Sequence, residues 1–183
     1  MTATVLDPRT ALVVVDLQKG IVELPTAHPA DGVVANSVAL ADAFRAKGLP
    51  VFLVRVTRGA PGRNESRVPS AAPAADWADI VPALGPRDGD TVVTKQQWGA
   101  FHGTALDLEL RRRGVTQVVL TGIATSIGVE STARAAHEHG YHVTVVTDAV
   151  TDMDAEAHRN SVEKIFPRLG ETGTTDAIAE LLG

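Results

Sequence analysis

Cysteine is absent from all 183 residues of the chain. That absence excludes disulfides, thiolate zinc sites, thiol redox chemistry and a cysteine nucleophile. Positive charge is also scarce: 17 Lys and Arg face 22 Asp and Glu, a net charge of −5. Such a chain lacks the basic face that nucleic acid requires, and no nucleic-acid partner is expected. The compact basic run Arg111-Arg112-Arg113 before Gly114 has the form of a helix C-terminus, where positive charge suits the dipole. No apolar stretch approaches the ~20 residues of a membrane helix. The opening MTATVLDPRT has neither the basic nor the apolar region of a secretory signal. No membrane partner is expected, and the expected location is the cytoplasm.

Missing motifs narrow the chemistry. No G-x-G-x-x-G follows the first apolar run and no G-x-x-x-x-G-K-[ST] exists, so phosphate cradles lack support. No G-x-S-x-G elbow marks a serine hydrolase. Of the 6 histidines, His137, His139 and His142 straddle a helix end and a strand start, without the i, i+4 pairing of a helical metal site. His28 and His102 fall in loops near the edge described below and carry no specific signal.

What is present reads as one domain over residues 1–183. Hydrophobic residues make up 44% of the chain, and a domain of this length buries roughly 70% of its unfolded surface. Apolar, β-branched runs occur at Ala11–Asp16, Pro50–Val56, Thr91–Lys95, Val115–Gly122 and His142–Asp148. Continuous rather than alternating hydrophobicity indicates strands covered on both faces. Between them, Val34, Val38, Ala41 and Phe44 keep helical spacing up to the stop at Lys47-Gly48. Leu106 and Leu110, Ile127–His139, Met153–Ile165 and Asp176–Leu182 mark further helices, with Thr151 and Thr174 as expected caps. Strand–helix alternation with short connections predicts a three-layer α/β/α, doubly wound, mostly parallel sheet of about six strands. The stretch 57–75 is an excursion rich in Gly, Pro, Ser and Arg, read either as a binding loop or as a tolerated insertion.

In an open α/β sheet, ligands bind beyond the carboxyl ends of the strands, where strand order reverses. That rule selects Asp16 at the end of the first run, Lys95 at the end of the third, and the turn Gly122–Gly128 after the fourth. Each has a plain structural reading: a turn cap, a solvated lysine, a glycine that permits close packing. Their convergence on one sheet edge favours a site, with backbone N–H groups of the turn facing developing negative charge.

The segments ALVVVDLQ (Ala11–Gln18), KQQWGAFHGTALDLELRRRG (Lys95–Gly114) and TGIATSIGVESTARAAHEHGYHVTVVTDAVTD (Thr121–Asp152) resemble the isochorismatase-like hydrolases. The likeness runs in order from Ala11 to the terminal helix and is weakest across Thr57–Asp90. Amide hydrolases of that superfamily use an Asp–Lys–Cys triad; Asp16 and Lys95 match two members, and Gly128 stands where the cysteine would be. The resemblance then implies the route of the isochorismatases, in which an aspartate protonates an enol carbon and water traps the cation. Asp16 becomes the general acid or base and Lys95 the orienting cation. A non-proline cis peptide at Ile123–Ala124 is implied, aiming the N–H groups of Ala124 and Gly128. Trp98 and Phe101 are expected to wall the pocket, and Arg55 and Arg58 to clamp a carboxylate. Gln18 and Ser126 are further substrate-binding candidates. The metal-holding Asp-x-His of nicotinamidases is replaced by Arg55-Val56-Thr57-Arg58, and Gly99 stands where many relatives have serine. The implied protein is a cofactor-free and metal-free hydrolase of a small molecule, assembled as a homodimer or larger homo-oligomer. The competing reading is a silent binding or scaffold protein, which would have no reason to keep Asp16 and Lys95.

Overall fold

A computed structural model describes residues 3–60, 62, 63, 65 and 73–183. Much of the 57–75 excursion lies outside these residues. The central sheet has 6 strands in the order β3-β2-β1-β4-β5-β6, and every pairing within it is parallel. They are β1 (Thr10–Val15), β2 (Val51–Val56), β3 (Thr91–Lys95), β4 (Gln117–Ile123), β5 (His142–Thr151) and β6 (Glu171–Gly173). Strand order reverses between β1 and β4, which places the switch point at the ends of those two strands.

Every residue of β1 and β4 is buried, as continuous apolar runs require. The edge strand β3 instead alternates exposure, and Val92 is open to solvent. On one face, α2 (Ala30–Ala46) and α7 (Thr175–Leu182) bury Val33, Leu40, Phe44 and Ile178 against Leu12, Val14 and Leu53. On the other, α3 (Leu106–Arg112) and α4 (Glu130–Glu138) bury Leu106, Leu110, Ala133 and Ala136 against Val13, Val15 and Phe52. Three layers result.

Several boundaries differ from expectation for local reasons. Thr151 is not a helix cap; it is the last residue of β5, and its hydroxyl pairs with the backbone of His28. Asp154 caps instead, its carboxylate accepting from Glu156 N and Ala157 N, and α5 runs Ala155–Asn160. The segment continues as a π-helical turn, Ser161–Ile165, and then α6, Phe166–Leu169. The helix expected at Ile127–His139 likewise begins as a π-helical turn, Thr125–Val129, before α4. Thr174 does cap α7, accepting from Ala177 N. A short helix, α1 (Lys19–Val22), follows β1 directly.

Candidate active site

At the switch point the strands come unusually close. A Cβ on Gly122 would lie 1.9 Å from the Val15 carbonyl oxygen, and Gly122 has φ 121°, so only glycine fits there. Immediately beyond β1, Asp16 takes φ 53°. Its N–H still donates to Val54 O at 2.9 Å while its carbonyl accepts from Gln18 N at 2.9 Å. The chain turns sharply at that residue. A non-glycine side chain held in this conformation is a recurrent mark of functional sites.

Lys95 ends β3 and reaches past β2 to Asp16. Its Nζ donates to Asp16 Oδ2 at 2.6 Å and to the Gln97 carbonyl at 3.1 Å. Asp16 and Lys95 are 5% and 2% exposed. Asp16 Oδ1 is buried and has no hydrogen-bond partner among the described residues. Burial pushes the Asp16 carboxyl up to about 6, against the opposing pull of the Lys95 charge and hydrogen bond. Desolvation therefore outweighs the ion pair.

The turn after β4 completes the site. The Ile123–Ala124 peptide bond is cis, and Ala124 O accepts from Ile127 N and Val129 N at 3.1 Å each. Thr132 Oγ1 donates to Gly128 O at 2.6 Å and accepts from Ala100 N at 3.1 Å, tying the turn to the loop after Lys95. Asp16, Lys95, Ala124, Gly128 and Trp98 border one cavity of about 140 Å³. Its remaining walls include Ile21, Leu24, Ile127 and Met153. The walls are mostly apolar and the reactive groups few, the usual make-up of a small-molecule site.

Other candidates from the sequence lie elsewhere. Gln18 is fully buried, and its amide serves backbone: Nε2 donates to Val56 O and Trp77 O, while Oε1 accepts from Val56 N. Phe101 is core, stacked on His139 and tilted against Tyr141. Arg55 donates to Thr94 Oγ1 and borders a different surface cleft with Lys19 and Asp79. Arg58 is exposed and donates to Gln96 Oε1. Alternation along β2 explains part of this, since Val56 faces the cavity and Arg55 cannot. His102 is exposed, and its carbonyl accepts from Gln97 Nε2. His28 lies with His158 in a separate cleft, their ring centroids 4.8 Å apart.

Ser126 turns away from the cavity toward a residue the sequence reading passed over. Asp152 is 2% exposed, and its Oδ2 accepts from Ser126 N at 2.7 Å and Ser126 Oγ at 2.8 Å. On the same side, Thr125 Oγ1 and His158 Nδ1 are 2.9 Å apart. The two contacts hold the turn from behind. A signal for Asp152 existed, because it follows the carboxyl end of β5 as Asp16 follows β1. Among the described residues, no group of three or more His, Asp or Glu is arranged to hold a metal ion.

The family model of the isochorismatase domain matches residues 10–177. The chain is 46% identical to the uncharacterised isochorismatase family protein YecD of Escherichia coli O157:H7, over 94% of this chain and 96% of that one. It is 32% identical to the ureidoacrylate amidohydrolase RutB of Methylobacterium radiotolerans, over 97% and 81%. A solved isochorismatase family protein from Burkholderia thailandensis superposes with a TM-score of 0.91 at 46% identity, covering 97% of each chain. The chain belongs to the isochorismatase family of hydrolases.

Proposed function

We propose that this protein hydrolyses a vinyl ether or a related acid-labile bond of a small organic molecule, with Asp16 as general acid. The observation that carries this reading is a carboxyl pushed up to about 6 by burial, with one oxygen held by Lys95 and the other without a partner among the described residues. At pH 7 about one such carboxyl in ten is protonated, roughly a hundredfold more than an aspartate in water. Proton transfer from a positioned acid contributes typically 10² to 10⁴ in rate.

In the proposed path, the proton on Asp16 Oδ1 passes to the terminal vinylic carbon. The C=C electron pair forms the new C–H bond, and the adjacent carbon and ether oxygen share the positive charge. Water adds to that carbon and returns a proton to Asp16. The hemiketal then collapses to a carbonyl compound and an alcohol. The cation forms beside a carboxylate just made negative, in an apolar cavity where that attraction is strong. Lys95 keeps the carboxyl group in place throughout. Gly128 offers no nucleophile, so a covalent acyl-enzyme at that position is unavailable.

The proposal extends to a cytoplasmic homo-oligomer that works on its small-molecule substrate without a metal or cofactor. Light scattering, cell fractionation and elemental analysis test those parts. The central test is a screen of purified protein against isochorismate, simple enol ethers and simple amides, read by mass spectrometry. Turnover of an enol ether is expected. Turnover of amides alone, or binding with no turnover of any compound, would overturn the reading, the second in favour of a silent binding protein.

A further inference from the structure

Among the described residues, the wall of the Asp16 cavity carries three polar side chains besides the Trp98 indole: Asp16, Lys95 and Gln97. Their hydrogen bonds run mostly within the protein. Lys95 donates to Asp16 Oδ2 and the Gln97 carbonyl. The Gln97 amide donates to Gly99 O and His102 O and accepts from Gln96 N. Asp16 and Lys95 are also the only charged residues on that described wall, and they face each other at 2.6 Å. A carboxylate entering here would have to share Lys95 with Asp16 and lie beside a like charge, away from the water that would shield it.

The mouth has a different character. Trp98, Leu24 and Met153 border the same cavity, yet they are 65%, 40% and 43% exposed. They come from three segments, following β3, α1 and β5. Single exposed apolar side chains are ordinary, but three from separate segments around one opening make a patch. The cavity itself is about 140 Å³, close to the roughly 150 Å³ of an apolar cavity that accepts benzene. A vinyl ether bearing a six-membered ring exceeds that volume, so part of it must reach the mouth.

We propose that the substrate is an uncharged ether whose apolar alkyl or aryl group lies against Trp98, Leu24 and Met153 while its vinyl end reaches Asp16; the proposal rests on the vinyl-ether reading above. Selection works through desolvation. An apolar group gains by leaving water, whereas a carboxylate gives up its hydration and meets no unshared cation on the described wall.

The test compares cyclohexyl vinyl ether with vinyloxycyclohexanecarboxylate, which has the same reacting group and one added charge. Each takes up one water and releases acetaldehyde and an alcohol, so acetaldehyde reads both. The neutral ether should show a kcat/KM higher by about 10²-fold. Trp98→Ala should raise KM for cyclohexyl vinyl ether by about tenfold and for the smaller ethyl vinyl ether by about twofold. Leu24→Lys, which adds a cation at an exposed position, should narrow the preference for the neutral ether by about tenfold. Equal or better turnover of the carboxylate by the wild type would overturn the proposal, as would a preference that Leu24→Lys leaves unmoved. So would a wild-type oligomer that Trp98→Ala splits by light scattering, since a second copy would then cover the mouth. If neither vinyl ether reacts, the vinyl-ether reading fails by itself, and calorimetry with the unreactive cyclohexyl ethyl ether and ethoxycyclohexanecarboxylate decides the substrate class. Tighter binding of the neutral compound by about tenfold or more is expected there; equal or weaker binding, or none, ends the idea.

Discussion

Lys95 donates to Asp16 at 2.6 Å inside the protein, and yet Asp16 is harder to ionise than a carboxyl in water. A cation at that distance alone would favour the carboxylate. Removal of the pair from solvent acts in the opposite direction and is larger. Among the described residues Oδ1 has no hydrogen-bond partner, so the Lys95 bond falls on Oδ2 alone.

The first prediction concerns pH. The reacting form is the protonated carboxyl, so kcat/KM should be highest at low pH and fall as pH rises through about 6. The limb belongs to the free enzyme and should be absent from kcat/KM only if another group supplies the proton. A profile flat from pH 5 to 8 would contradict the assignment of Asp16 as acid.

Asp16→Asn keeps the size and most hydrogen bonding of the side chain but carries no transferable proton. Turnover should drop by about 10² to 10⁴ with the fold intact by circular dichroism. A folded variant with full activity would remove Asp16 from the mechanism.

Lys95→Met preserves length and burial while deleting the charge. Both influences that lower the Asp16 pKa come from Lys95, so the pH limb should move above about 6. A limb unmoved or shifted downward would mean that the cation does not govern Asp16.

Asp152→Ala removes the acceptor for both Ser126 N and Ser126 Oγ. A buried donor left without a partner costs about 1–3 kcal/mol, which chemical denaturation should detect. The same variant should lower kcat more than it raises KM, because the loosened turn carries Ala124 and Gly128. Asp152→Asn, which keeps an acceptor oxygen, should recover part of both losses. Equal behaviour of the Ala and Asn variants would argue against this role.

Gly128→Cys should place a thiol beside the Asp16–Lys95 pair. Iodoacetamide should modify it faster than a cysteine at the exposed position Glu138, since Asp16 can take the proton and Lys95 favours the thiolate. A folded variant whose thiol reacts no faster than that control would place position 128 outside the reacting geometry.

Much of this architecture was written in local pattern. Apolar β-branched runs separated by helical periodicity imply buried parallel strands, since only strands covered on both faces tolerate uninterrupted hydrophobicity. Asp16, Lys95 and the Gly122–Gly128 turn were legible because each breaks such a run at its carboxyl end. The sixth strand was not, for Glu171–Gly173 is 3 residues long and too short for any period. Asp152 was missed because the apolar run was taken to end at Asp148, whereas β5 continues to Thr151 through a register shift against β4 that brings Thr151 beside Ile123. Arg55 and Arg58 were near the right strand end but on side chains directed elsewhere. The sequence by itself determined which groups end the strands and that no thiol is available. Only the tertiary structure decided how those groups behave, because desolvation depends on everything packed around Asp16, and no local pattern encodes that sum.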